Sequence, residues 1–253
     1  MKNHVLSAYV RHQAGLVRRV EAEYCPRFDL NLTMSELDSK RILDVAPSAR
    51  VREAPNAVDL ETFPLPDPES ERSNSVTFVG PTYLFANGDA VEHLLSDIWP
   101  RVRRLNPDAT LTLIGRNAPG EQGSFAAVPG VEPLGRVEDV RPHLGTTGCS
   151  VIPIRVGGGT RIKILESWAL GRAVVTTTLG CEGLDVTDGV NALVRDDPKQ
   201  FAAAVAGVLD DADLRGRLGR EGRATVEAKY SWTQVGASVR QRYSDLIESR
   251  AAS

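Results

Sequence analysis

The sequence concentrates its chemistry in one stretch, VGGGTRIKILESWALG, from Val156 to Gly171. Three consecutive glycines lead through a threonine into a helical pattern whose first turn carries Arg161 and Lys163. Cations there oppose the helix dipole, whose positive end is the N-terminus. They make sense if something negative is held at the same place. Glycines let backbone amides approach a ligand with no Cβ in the way, and a helix N-terminus offers unpaired N–H groups. A diphosphate would satisfy the amides and both cations together. Glu166 falls six residues past Thr160, roughly 9 Å along a helix axis, comparable with the reach from a diphosphate to its ribose. Its carboxylate reads equally well as a ribose ligand or as an i,i+3 partner of Lys163. Ile162, Leu165, Trp168 and Ala169 read as the buried face of this helix.

Other candidates carry less. The four histidines have no metal-ligand spacing, and His143 reads as a packing or surface residue. Asp211-Ala212-Asp213 imitates a metal-binding D-x-D but follows a helical run, and it reads as a helix cap. No metal is therefore expected. Cys25, Cys149 and Cys181 are odd in number and widely spaced, which fits a reducing cytoplasm. The first strand of the main domain is followed by GPTYLFANGDA rather than G-x-G-x-x-G, which argues against a nicotinamide dehydrogenase.

The elements that must position these residues alternate from Ser75 onward. SVTFVG, ATLTLIG, VEPLGRVED, CSVIPIRV, AVVTTT and NALVRD read as strands. GDAVEHLLSDIWPRVRRLNP reads as a helix that Pro100 kinks or interrupts, VRPHLGTTG as a short helix and RIKILESWAL as the helix after the glycines. APGEQGSFAAVPG reads as a loop. Near-continuous apolar strands separated by helices imply a doubly wound α/β domain with a parallel sheet covered on both faces. In open sheets of this kind ligands bind beyond the carboxyl ends of the strands, where RVGGGTR falls.

The opening segment is different. It holds a helix to about Tyr24, the strand FDLNLTMS, a helix capped by Ser35 and the strand ARVREAP. That is too little for an independent sheet, so the segment reads as the end of a second α/β domain. LETFPLPDPESERSNS has the proline and polar content of a linker. At the C-terminus Val235, Val239, Tyr243 and Leu246 form an apolar stripe that must pack on something. The expected boundaries are residues 1–60, a linker at 61–74, a main domain at 75–230 and a final helix at 231–253.

Composition sets outer limits. Hydrophobic residues make up 42% of the 253 and charged residues 25%, with a net charge of -3. These are values of an ordinary globular chain, and they give no support to a nucleic-acid surface. The amphipathic opening MKNHVLSAYVRHQAGLVRRVEAEY reads as a packed helix or, through its basic residues, as a membrane-surface helix.

Taken in order, APNAVDLETF, VTFVG, PDATLTLIGRNAP, VEPLGRVEDV, GGGTRIKILESWALGRAVVTTTLGCEGL and the closing YSW resemble a known family. It is that of retaining glycosyltransferases of the GT-B fold, glycosyltransferase family 4, group 1, and the resemblance covers nearly the whole chain. It implies two facing Rossmann-like domains, of which this chain carries one complete and the remnant of the other. It also implies a final helix that crosses back onto the N-terminal part, and a reaction without metal.

Carried onto matching positions, Glu166 resembles the ribose ligand. The amides of Gly158, Gly159 and Thr160, with Arg161 and Lys163, would take the diphosphate and the leaving-group charge. Arg136 and Val137 fall where the base is recognised. Glu182, in GCEGL, falls in a loop near the donor sugar, unless it is a solvated loop residue. Gly158 stands where the broad family has a first glutamate, and the family's Arg and Lys after the first strand are replaced by PTYLFAN, Pro81 to Asn87.

The resemblance implies hexose transfer from a UDP- or GDP-sugar to a hydroxyl on a saccharide or lipid-linked acceptor, with retention. The location it implies is cytoplasmic, free or peripheral at the inner membrane face. The alternatives are a non-catalytic nucleotide-sugar-binding fragment and a nucleotide-sugar epimerase. An incomplete N-terminal sheet would expose a strand edge and favour self-association.

Overall fold

A computed structural model describes residues 4–159 and 161–251. The chain forms two compact units, Met1–Asn56 with Val235–Ser253, and Ala57–Gln234.

In the first unit, helix α1 (His4–Tyr24) leads to strand β1 (Asn31–Thr33), helix α2 (Glu36–Val45) and strand β2 (Val51–Glu53). Ser35 caps α2, its hydroxyl accepting from the Asp38 amide at 3.1 Å, which satisfies one of the helix's unpaired donors. The two strands pair in parallel, Asn31 opposite Val51. Ala46, Ala49 and Val51 form a small core with Cys25, Ile42 and Val45 against it.

The second unit holds a six-stranded sheet in the order β5-β4-β3-β6-β7-β8, parallel throughout. Its elements follow the chain. Strand β3 (Arg72–Val79) is followed by α3 (Phe85–His93), a π-helical turn (Leu94–Ile98), α4 (Trp99–Leu105) and β4 (Thr110–Ile114). Next come α5 (Glu121–Ala126), β5 (Val131–Gly135), α6 (Arg141–Gly145), β6 (Thr147–Ile152), α7 (Ile162–Ala169) and β7 (Ala173–Thr176). Strand β8 (Leu193–Val194), α8 (Pro198–Asp210) and α9 (Ala212–Thr225) complete it, and α10 (Trp232–Ala251) runs on into the first unit. Helix α8 lies against α4, β3 and β6, and α9 against α7 and β7. The core contains the fully buried side chains of Trp99, Trp168, Phe78 and Phe201.

The α-helical pattern is interrupted just before Pro100, while other local elements differ from the sequence reading. Pro100 sits just inside α4, and the preceding turn widens to a π-helix, so the chain continues where the missing amide would otherwise break the ladder. APGEQGSFAAVPG is not all loop. Residues 121–126 form α5, because Gly120 turns at φ 86° and the Glu121 carboxylate accepts from the Ala118 amide at 2.9 Å.

The strand expected from Ser75 starts at Arg72. The segment before it is fastened to the second unit: the Val58 amide donates to the Tyr230 carbonyl at 2.8 Å, and Glu71 pairs with the buried Arg172 and Arg215. In the C-terminal stripe, Val235, Val239 and Leu246 are half-buried, but Tyr243 is exposed and Arg242 takes its place. The 3.6-residue period explains this, since position 242 lies closer than 243 to the direction that 235, 239 and 246 share.

Candidate functional site

Strands β3 and β6 are neighbours, and the chain leaves them toward opposite edges of the sheet, β3 to β4 and β6 to β7. That is the point at which open parallel sheets hold ligands. The segments just beyond the two strands meet there. Beyond β6 runs the glycine turn, with Gly157 at φ 101° and Gly159 at φ 84°, conformations that a Cβ disfavours. Gly157, Gly158 and Gly159 are all exposed. Beyond β3, Ala86 on α3 stands close to the turn, 3.2 Å from where a Cβ at position 157 would lie.

The turn feeds α7, which begins at Ile162 with no side-chain cap. Arg161 folds back so that its Nη1 donates to the Gly158 carbonyl at 2.9 Å. Its Nε and Nη2 are buried with no hydrogen-bond partner among the described residues, which is costly for a charged group unless a ligand satisfies them. Lys163 Nζ donates to Asn87 Oδ1 at 2.9 Å and lies 4.6 Å over the Phe78 ring. Burial and the Arg161 charge press its pKa down to about 8, against the pull of Glu166.

Glu166 lies one turn further along. Burial raises its carboxyl above the ordinary range, and Lys163 counters this. Among the described residues it has no ion-pair or side-chain hydrogen-bond partner. The two acidic and basic neighbours on α7 therefore act on each other through space rather than as a closed salt bridge.

The remaining sequence candidates lie at the same end of the sheet. Glu182 follows β7 through a short 3-10 turn, is half-buried, and its charge offsets part of the burial cost of Arg161. Arg136 and Val137 follow β5, exposed and half-buried respectively. They stand three strand positions from β6, about 14 Å at the usual spacing. Thr160 lies outside the described residues. Ile162, expected in the buried face, is 47% exposed, while Ile164 joins Leu165, Trp168 and Ala169 inside. As the first residue of α7, Ile162 sits at the edge of the site rather than over the core. Asp211 caps α9, its carboxylate accepting from the Leu214 amide at 2.9 Å. Among the described residues no three His, Cys, Asp or Glu side chains are grouped to hold a metal ion.

Sequence reasoning assigned no role to Asn87, Gly80 or the Arg155–Asp89 pair. Their signal was position alone: Gly80 directly follows β3 and Arg155 lies beyond β6 at the switch point, and Asn87 and Asp89 lie in α3.

A parallel sheet whose switch point carries a glycine turn, a buried lysine and a partly unsatisfied arginine defines an α/β unit suited to a phosphate-bearing ligand. Residues 73–211, over half of the chain, match the family Glycosyl transferases group 1, and the chain belongs to that family. It is 27% identical over 214 residues to a GDP-mannose-dependent monoacylated alpha-(1-6)-phosphatidylinositol monomannoside mannosyltransferase of Corynebacterium glutamicum, covering 77% of this chain and 55% of that protein. It is 33% identical over 86 residues to a D-inositol 3-phosphate glycosyltransferase of Thermobispora bispora, covering 33% of this chain and 20% of that one. The chain thus spans little more than half the length of the first of these relatives, and less of the second.

In fold it matches HepE of Anabaena, solved in complex with UDP, with a TM-score of 0.76 at 14% identity, covering 90% of this chain and 67% of that one. It matches sucrose-phosphate synthase of Thermosynechococcus elongatus with a TM-score of 0.74 at 20% identity, covering 93% and 62%. The α/β fold with its six-stranded parallel sheet is that of GT-B glycosyltransferases.

Proposed function

We propose that this chain carries the donor-binding half of a retaining glycosyltransferase of family 4, which moves a hexose from a nucleotide diphosphate sugar to a hydroxyl acceptor. The carrying observation is the guanidinium of Arg161: two buried donors without partners among the described residues, beside an exposed glycine turn. A diphosphate supplies the acceptors they lack.

In this reading the amides of Gly158, Gly159 and Thr160 hold the diphosphate. Arg161 and Lys163 stabilise the departing nucleoside diphosphate, which gains charge in the transition state. Glu166 accepts from the ribose hydroxyls, Arg136 and Val137 meet the base, and Glu182 stands near the donor sugar. The relatives' names support uridine or guanosine diphosphate as the nucleotide. A saccharide or lipid-linked acceptor, met at the cytoplasmic face of the membrane, is consistent with the mannosyltransferase relative.

Calorimetric titration with UDP, GDP and ADP tests the site, and saturable binding of one diphosphate is expected. Absence of binding by all three removes the reading. Product analysis with a panel of donor sugars and simple acceptors separates transfer from binding alone. Bound donor with no transferred sugar would leave a nucleotide-sugar-binding module.

A further inference from the structure

Lys163 takes its contacts from across the site rather than from its own helix. The Asn87 side-chain oxygen accepts from its Nζ at 2.9 Å, and the Phe78 ring lies beneath it. Asn87 is itself fixed. Its Nδ2 donates to the Pro81 carbonyl at 3.2 Å and its amide to the Leu84 carbonyl at 2.9 Å. With the amide nitrogen engaged on a carbonyl, the oxygen is the group left to face the cation. Gly80 leaves room for the pair: a Cβ there would lie 2.8 Å from Asn87 Cγ and 2.9 Å from Lys163 Nζ.

We propose that Asn87 is a positioning residue, holding the Lys163 ammonium in place and in its charged form for an anion at the glycine turn. The role of that anion rests on the nucleotide diphosphate reading above. The charges that act on Lys163 are Arg161, which repels it, and Glu166, which attracts it, both from α7. From β3 and α3 it meets an aromatic ring and a carboxamide, and on α3 Asp89 is engaged by Arg155. Burial favours the neutral amine. An oxygen acceptor at hydrogen-bond distance favours the ammonium, so Asn87 works against the burial.

The test titrates Lys163 by NMR in ligand-free protein, and measures UDP and GDP affinity across the same pH range. Wild type, Asn87→Ala and the isosteric Asn87→Asp are compared. The Lys163 midpoint should fall in Asn87→Ala and rise in Asn87→Asp. Asn87→Ala should also weaken diphosphate binding about tenfold near neutral pH, the usual scale for a hydrogen bond to a charged group. A midpoint unmoved in both variants overturns the positioning role even if nucleotide binds. A midpoint that responds to Asn87 in a protein that binds neither diphosphate overturns the anion-binding purpose instead.

Discussion

Arg155 and Asp89 meet edge to edge beyond the end of β6, Nε 3.1 Å from Oδ2 and Nη2 2.9 Å from Oδ1. This two-bonded geometry resists rotation as well as separation. It ties the residue two before Gly157 to the helix that carries Ala86 and Asn87. The pair is partly solvated, with 43% and 22% of the two side chains exposed, so its effect on global stability is within about 1 kcal/mol. Asp89→Asn should therefore leave the melting temperature nearly unchanged while weakening nucleotide diphosphate affinity several-fold. Calorimetry and thermal melts on one preparation check this, and unaltered affinity would separate the pair from the site.

Arg161 offers a sharper case. Among the described residues its side chain bonds to the Gly158 carbonyl alone, within its own turn. Removing the side chain takes little from the fold and all of the guanidinium from the site. In a protein that transfers sugar, Arg161→Ala should lower turnover by roughly a hundredfold or more, the scale of losing one preorganised donor to developing charge. Steady-state kinetics with intact secondary structure by circular dichroism measures it. Unchanged turnover would discard the role.

What the sequence disclosed follows from what each signal measures. Apolar runs and their breaks located every strand of the second unit, because burial on both faces writes itself into composition. Ser35 and Asp211 were legible as caps because the chemistry of a cap is local. Arg161 and Lys163 were legible because they sit where a helix should not want them. Asn87 was not, since its partner lies 76 positions away and no periodicity connects them. Tyr243 and Ile162 failed for a related reason. An apolar residue announces that it can be buried, but whether it is depends on helix phase and on what stands opposite.

Gly222 and Gly207 look alike in sequence, both inside helices, and should respond in opposite directions to alanine. A Cβ at 222 would lie 2.2 Å from Cδ1 of Trp168. That indole is fully buried and its nitrogen donates to the Asn191 carbonyl at 2.8 Å, so it has nowhere to move. Alanine gains about 1 kcal/mol of helix propensity over glycine, but the overpacking costs about 3 kcal/mol. Gly222→Ala should therefore destabilise by about 2 kcal/mol. Nothing stands within 4 Å of a Cβ at 207, so Gly207→Ala should stabilise by up to about 1 kcal/mol. Urea denaturation of the two variants decides it, and equal signs would refute the packing argument.

The Lys163 ammonium makes stability and binding depend on pH in opposite senses. Its pKa falls from the ordinary 10.5 to about 8 through burial first and then Arg161, with Glu166 opposing. Between about 8 and 10.5 the unfolded chain keeps this proton and the folded chain has lost it. The unfolded state then binds more protons, so this group's contribution to stability rises with pH across that window. Below about 8 both states are protonated and the cost of burying the charge is fully present.

A diphosphate needs the charged form, so its affinity should weaken as pH rises through about 8. Lys163→Met should bind more weakly near neutral pH and lose that dependence. Calorimetric titrations of both proteins over a pH series provide the measurement. A decline that persists unchanged in Lys163→Met would assign the titration to another group and free Lys163 from the site.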